Sequence, residues 1–141
     1  MHEVLENIKD EFMKEHNFEF QLNSELYYWT ETNLNLKYQV LSTSSLIEYV
    51  HKCGFEIIKP YLTEKMVCVV SKTNFEHISI TPQGFKVYVK LKVSKIIGNT
   101  ILFEGEAFDE INKIAQFSFE RKVISKKTLE RKSLEKLNKL N

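Results

Sequence analysis

Turn-forming and cross-linking residues are scarce in this chain of 141 residues. Four glycines and two prolines are too few for a collagen-like, linker-rich or disordered chain. The two cysteines, Cys53 and Cys68, are too few for a disulfide framework or a zinc cluster, so no metal site is expected. The composition predicts a single folded domain in the reducing cytoplasm.

The chain also lacks an excess of one charge and any long apolar run. Its 20 basic and 19 acidic residues give a net charge of +1, whereas nucleic acids and anionic membranes select strongly basic proteins. No apolar run approaches the roughly 18 residues of a transmembrane helix. The opening residues, MHEVLENIKDEF, contain no signal-peptide core. We therefore expect neither a nucleic-acid partner nor a membrane partner.

Helical periodicity occurs in three segments. Residues 1–16 predict a short amphipathic helix. Residues 45–59 carry a wide apolar arc, and Ser45 and Glu48 have the spacing of a capping box at its start. Residues 128–140 predict a highly charged helix with a thin leucine stripe. The middle helix is the apolar one, which predicts that it is buried.

Strand patterning covers residues 66–124, with strict alternation of apolar and polar side chains from Lys86 to Val93 and a tight hairpin at Gly98. One buried helix followed by four antiparallel strands predicts an α+β hot-dog fold, in which an antiparallel β-sheet wraps around the central helix. The N-terminal and C-terminal helices are additions to it. A curved sheet leaves a free edge, so a homodimer is expected.

Short motifs follow one another from about Val40 to Ile124. They are Val40-Leu41-Ser42-Thr43, Pro60-Tyr61-Leu62, Phe75-Glu76-His77, Thr81-Pro82-x-Gly84, Phe103-Glu104-Gly105-Glu106-Ala107 and Phe119-Glu120-Arg121. In order and spacing the chain resembles the hot-dog thioesterases, specifically the fluoroacetyl-CoA thioesterase-like family. This resemblance implies hydrolysis of a small or medium acyl-CoA thioester at a dimer interface, with coenzyme A as part of the substrate and no separate cofactor.

The same resemblance implies a set of catalytic positions. The family threonine at the helix start corresponds to Thr43, and the family histidine on the following strand corresponds to His77. The family's acidic residue, eight positions after the threonine, is replaced by His51. A glycine seven positions before the strand histidine is replaced by Val70. We predict Thr43, His77 and His51 as catalytic residues.

The chemistry of Thr43 and His77 suits thioester hydrolysis. An imidazole with a pKa near 6.5 accepts a proton at neutral pH, and this makes His77 the candidate general base. Amide groups at a helix N-terminus stabilise an oxyanion, and Thr43 beside them is either a nucleophile or a group that orients water or the carbonyl. The structural alternative for His77 is a buried histidine satisfied by one hydrogen bond, and the alternative for Thr43 is a helix N-cap.

Position 51 and the predicted substrate contacts modify this scheme. A histidine is not equivalent to a carboxylate, but His51 can orient water or polarise the carbonyl; the alternative is a boundary residue without a special role. If the family glycine acts through its backbone amide, Val70 supplies the same donor. If the glycine is there to let the substrate approach closely, the Val70 side chain narrows the acyl pocket. The predicted substrate contacts are Ser42, Ser44, Val70, Phe75 and Arg121.

Two other interpretations stay open. The same fold is able to bind an acyl thioester or another small apolar ligand without turnover. Alternatively, the protein is a structural dimer whose charged C-terminal helix contacts a partner protein. The aromatic cluster Tyr27-Tyr28-Trp29 is typical of core packing or of a dimer surface, and a lid over the acyl pocket is its alternative role.

Overall fold

A computed structural model describes residues 7–141 of the chain. Its centre is a five-stranded antiparallel sheet with the strand order β1-β3-β4-β5-β2. The strands are β1 (Glu15–Gln21), β2 (Met66–His77), β3 (Lys86–Ile97), β4 (Thr100–Phe108) and β5 (Lys113–Ser125). The four strands expected over residues 66–124 are present, and β1 adds a fifth beside β3. Strand β2 therefore lies at one edge of the sheet.

The central helix α1 (Thr43–Ile58) packs on one face of this sheet. It begins two residues earlier than predicted, because Ser42 rather than Ser45 is the N-cap and accepts a hydrogen bond from the Ser45 amide at 3.0 Å. The predicted capping box is wrong, since Glu48 pairs with Lys52 one turn later at 3.2 Å. A 3-10 turn, Lys59–Tyr61, contains Pro60 and ends the helix.

Alternation along the strands separates a buried face from an exposed one. Strand β3 has four fully buried side chains on one face and mostly exposed polar ones on the other, as its sequence predicts. The buried faces of β3, β4 and β5 meet the apolar arc of α1 and form one core. This is the predicted hot-dog arrangement. The bulkiest fully buried side chains of that core are those of Ile8, Leu22, Leu46, Ile58, Leu91, Ile101, Phe103, Ile114 and Phe119.

Strand β2 contains a β-bulge that changes which side chains face the helix. Its pairing with β5 is regular from His77 back to Lys72 and shifts by one residue between Lys72 and Val70. Because of the extra residue at Ser71, Val70 and Cys68 continue the face of Thr73. Strict alternation predicts Val67 and Val69 there instead, and that expectation is wrong.

Both ends of the chain differ in detail from prediction. Within the predicted helix 1–16, residues 1–6 lie outside the described residues, and the helical part ends in a 3-10 turn at Lys9–Glu11. Met13 has a φ of 60° and the chain then enters β1, so the predicted end at residue 16 is wrong. Helix α2 (Lys126–Asn138) begins two residues before the predicted 128–140, with Ser125 as its N-cap.

A buried carboxylate holds the N-terminal turn against the end of α1. Glu11 accepts a hydrogen bond from Tyr61 Oη at 2.6 Å and lies 2.7 Å from His16 Nε2. Burial raises the pKa of Glu11, but the hydrogen bonds of Tyr61 and His16 outweigh it and leave this pKa below its usual value. The same contact raises the pKa of Tyr61 to about 12.

The aromatic cluster ahead of α1 packs against the core. The Tyr27 ring lies 5.0 Å from Phe20, and Tyr28 also contacts the core. The Trp29 amide donates to the Val40 carbonyl at 2.8 Å, so the ends of the intervening loop are held together. These contacts favour the packing role of this segment.

Candidate active site

The first turn of α1 places Thr43 at the edge of the fold. Ser42 occupies the N-cap and its hydroxyl is 3.0 Å from the Ser45 amide, so Thr43 and Ser44 are the first two residues of the helix. The amides at these positions have no acceptor inside a helix. The Thr43 side chain is exposed, whereas Ser42 is 8% exposed. Of the three hydroxyl groups, the one of Ser42 is engaged in capping.

His77 is the last residue of β2 and lies beside the start of α1. Its Nδ1 is 2.7 Å from Thr43 Oγ1, a short hydrogen bond between residues 34 positions apart. The structure therefore brings the predicted threonine and histidine into contact. Across the rest of the described chain, Nε2 of His77 has no hydrogen-bond partner although it is buried.

Burial lowers the pKa of His77 from its usual 6.5, and the nearby backbone of Ser79 opposes this only in part. The imidazole is therefore neutral at pH 7. A neutral ring accepts a proton or a hydrogen bond through one nitrogen only. With the Thr43 hydroxyl donating to Nδ1, the ring proton resides on Nε2.

His51 lies two turns further along α1 and contacts β2 at a different point. Its Nε2 is 2.9 Å from Thr73 Oγ1, and its ring packs on Phe119 in a T-shaped arrangement with centroids 5.0 Å apart. The pKa of His51 is lowered mainly by burial and to a smaller extent by the charge of Arg121. His51 thus belongs to the same α1–β2 boundary as Thr43 and His77, but no hydrogen bond joins it to either of them in the described structure.

The predicted substrate contacts divide into two groups. Phe75 and Val70 share the helix-facing side of β2 with His77, and the Phe75 ring lies 6.4 Å from the His77 ring. Phe75 also stacks on Phe117 at 5.5 Å, which holds it in place. Ser44 is exposed beside Thr43. Phe75 and Ser44 therefore lie beside His77 and Thr43, whereas Val70 lies farther along β2, beyond Thr73 and opposite Arg121.

Arg121 is placed differently from a surface phosphate contact. It is 7% exposed and lies beneath α1, where Nη2 donates to the His51 carbonyl at 2.6 Å and Nη1 to the Cys68 carbonyl at 3.2 Å. Its guanidinium also lies 5.8 Å from the centre of the Phe55 ring. As a substrate contact, Arg121 stays a prediction.

A broad concavity lies on the side of the sheet that faces away from α1. It has a volume of about 770 Å³ and is lined by charged side chains such as Lys90, Glu104 and Glu106. Thr43, His51 and His77 do not line it. The three residues therefore lie outside this concavity, at the boundary between α1 and the edge strand β2.

Residues 7–141 contain no helix that is long and apolar enough to cross a membrane. Within the same residues, no group of three or more histidine, cysteine, aspartate or glutamate side chains is arranged to bind a metal ion. Cys53 and Cys68 are both free thiols.

Comparison with known proteins identifies the family. The sequence pattern of the fluoroacetyl-CoA-specific thioesterase family, FlK, matches residues 26–127, well over half of the chain. The chain belongs to the fluoroacetyl-CoA-specific thioesterase family. No curated protein matches it in sequence.

Solved structures agree with this membership at the level of the fold. A hot-dog-like protein from Thermanaerovibrio acidaminovorans is 21% identical with a TM-score of 0.80, and the alignment covers 92% of this chain and 96% of that one. A thioesterase superfamily member from Thermus thermophilus is 22% identical (TM-score 0.76, coverage 90% and 94%). The fluoroacetyl-CoA thioesterase FlK is 17% identical (TM-score 0.77, coverage 89% and 96%).

Thr73 also lies at the α1–β2 boundary, but it was not predicted as a site residue. It precedes His77 by four residues on the same strand face, and this spacing is the signal that was available. The match to the fluoroacetyl-CoA-specific thioesterase family includes the two threonine–histidine contacts seen among residues 7–141, but α2 lies almost entirely beyond it.

Proposed function

We propose that the protein hydrolyses a small or medium acyl-CoA thioester, with His77 as the general base and Thr43 as the nucleophile. The observation that carries this proposal is the 2.7 Å hydrogen bond between Thr43 Oγ1 and His77 Nδ1. A hydroxyl is a weak nucleophile until an adjacent base removes its proton, and this geometry supplies that base. The lowered pKa of His77 keeps the base unprotonated at neutral pH.

The reaction then has two steps. In the first, Nδ1 of His77 accepts the hydroxyl proton while Thr43 Oγ1 attacks the thioester carbonyl, and the carbonyl oxygen becomes an oxyanion beside the free amides of the helix start. The carbon–sulfur bond breaks and the coenzyme A sulfur takes the proton from His77. A thiol pKa of about 8.5 makes this sulfur a good leaving group. In the second step, His77 activates water, which hydrolyses the acyl ester and restores Thr43.

A second copy of the chain completes this proposal as the partner in a homodimer. The active boundary between α1 and β2 lies at the edge of the sheet, and within residues 7–141 no strand pairs with the outer edge of β2. A twelve-residue edge strand is a template for pairing. Val69, which is 37% exposed on this strand, provides the test. Val69→Lys should shift the molar mass measured by light scattering from dimer to monomer.

A cytoplasmic location stays a prediction.

The test of the activity is release of free thiol from short, medium and aromatic acyl-CoA thioesters. His77→Gln and Thr43→Val should each lower kcat at least about a hundredfold. His16→Gln is the matched control, because His16 is also a partly buried histidine but lies beside Glu11, away from the site. An acyl ester on Thr43, detected by mass spectrometry after rapid quenching, supports the nucleophile. Hydrolysis by Thr43→Ala at near wild-type rate would instead assign water activation to His77 alone.

A ligand-binding protein without turnover would behave differently in the same assays. Acyl-CoA thioesters would raise the melting temperature of the wild type, but no thiol would be released.

A further inference from the structure

The boundary between α1 and β2 contains two threonine–histidine pairs with exchanged positions. At one end the helix provides Thr43 and the strand provides His77. At the other end the helix provides His51 and the strand provides Thr73. Eight helical residues span about 12 Å, and four strand residues span about 13 Å. The two spacings match, so the helix and the strand support both pairs with one relative orientation.

The second pair differs from the first by a buried cation next to it. Arg121 donates to the carbonyl of His51 on the helix and to that of Cys68 on the strand, at 2.6 and 3.2 Å. No carboxylate forms a salt bridge with Arg121 in the part of the chain described here. A buried guanidinium without an acidic partner leaves a fixed positive charge. That charge opposes protonation of the His51 ring and favours a negative charge that develops nearby.

The two nitrogens of the His51 ring have different surroundings. Nε2 has Thr73 Oγ1 at 2.9 Å. Nδ1 has no hydrogen-bond partner within residues 7–141 and is not among the buried unpartnered atoms, so it remains accessible. In a neutral imidazole, the hydrogen bond at one nitrogen decides whether the other is a donor or an acceptor.

We propose that Thr73 and Arg121 are positioning residues that present His51 to the acyl thioester as a neutral hydrogen-bond donor. The Thr73 hydroxyl donates to Nε2, which places the ring proton on Nδ1. The two pairs lie about 12 Å apart along α1, so His51 donates to an acceptor of the bound thioester away from the carbonyl that Thr43 attacks, while the charge of Arg121 keeps the ring neutral. His77 remains the base, so the two histidines have opposite roles. This inference rests on the proposed function for its kinetic consequence only.

The first test is independent of activity. In protein labelled with ¹⁵N-histidine, two-bond ¹H–¹⁵N correlations distinguish the two neutral tautomers, and His51→Asn assigns the signals among the four histidines of the chain. At pH 7 we expect His51 to carry its proton on Nδ1. Thr73→Val should increase the Nε2-protonated form, whereas Thr73→Ser should preserve the wild-type tautomer. An Nε2-protonated wild type, or no change in Thr73→Val, would overturn the proposal.

The role of Arg121 is tested in the same spectra. Arg121→Met should shift the titration of His51 to higher pH, because the neighbouring charge is removed. Arg121→Lys keeps a cation and should leave the titration near that of the wild type. If Arg121→Met does not fold, as judged by its melting curve, Arg121→Gln serves as the neutral variant. A titration that is unchanged without the charge would contradict the proposal.

The kinetic test separates this proposal from the proposed function. Partners that orient a site residue typically contribute about 10–100-fold to activity. Thr73→Val should therefore lower kcat/KM about tenfold, mainly through a higher KM, and Thr73→Ser should restore it. If the wild type hydrolyses no acyl-CoA, the proposed function fails while the tautomer result still decides the role of Thr73. If hydrolysis is normal in Thr73→Val, the positioning role alone fails.

Discussion

Substitution of Gly54 by alanine tests how closely α1 approaches the sheet. A Cβ atom at this position would lie 2.8 Å from two ring atoms of Phe119. Carbon atoms in contact are normally about 3.5–4.0 Å apart, so the ring would have to move. Phe119 is 1% exposed and stacks on Phe103 at 4.9 Å, while His51 lies against its edge. The ring therefore has little room to move.

Two opposing effects determine the free energy of unfolding of Gly54→Ala. Alanine in a helix interior is favoured over glycine by about 1 kcal/mol. Overpacking of a rigid core costs about 1–3 kcal/mol. Because the neighbouring rings fix Phe119, we expect overpacking to dominate and the variant to lose about 1–2 kcal/mol, which lowers Tm by about 3–6 °C for a domain of this size.

Urea unfolding measures this loss, and two further variants make it specific. Glu56→Ala changes an exposed position of the same helix and should alter stability by less than about 0.5 kcal/mol. In a Phe119→Leu background, Gly54→Ala should lose most of its cost, since the ring atoms that it meets are absent. A Gly54→Ala variant as stable as the wild type would refute the close packing of α1 on Phe119.

Three other predictions concern stability. The pKa of His77 is lower in the folded state, so the unfolded chain binds its proton more tightly. The stability of the wild type should therefore fall as the pH decreases from 7 through 6.5, and the stability of His77→Gln should fall less over the same range. Ser42→Ala removes the N-cap of α1 and should cost about 1 kcal/mol in urea unfolding, whereas the exposed Ser44→Ala should cost less. Tyr61→Phe removes a hydrogen bond from the buried carboxylate of Glu11 and should lower stability by about 1–3 kcal/mol at pH 7, with a smaller loss when Glu11 is protonated.

The strands were more predictable from the sequence than the ends of the helices. Alternation in β3 is governed by burial of one face, and this signal is local. The start of α1 was misplaced because Ser42 and Ser45 are both good N-cap residues. The choice between them depends on tertiary contacts such as the hydrogen bond from the Ser42 amide to the Tyr27 carbonyl at 2.8 Å.

The candidate site also depends on tertiary contacts that the sequence of a single segment does not reveal. Thr43 and His77 were predicted through the family resemblance; the structure brings their side chains within 2.7 Å, and their catalytic role stays a prediction. The surroundings of His51 were not predictable in the same way. The burial of Arg121 under α1 and the change of face at Ser71 arise from the pairing of β2 with β5, which connects residues 38 to 59 positions apart. Periodicity within a single segment contains no information about such pairing.

The bulge at Ser71 divides β2 into two stretches with independent side-chain facing. Deletion of Ser71 would make Val70 and Lys72 consecutive, so Val70 would stay opposite Arg121 and both stretches would keep their present facing. Pairing of Ser71 with β5 in place of the bulge would instead turn Val67 and Val69 toward the helix and send Val70 outward, while His77 would keep its register. The one unpaired residue therefore decides which side chains lie beside Arg121, independently of the end of the strand that carries His77.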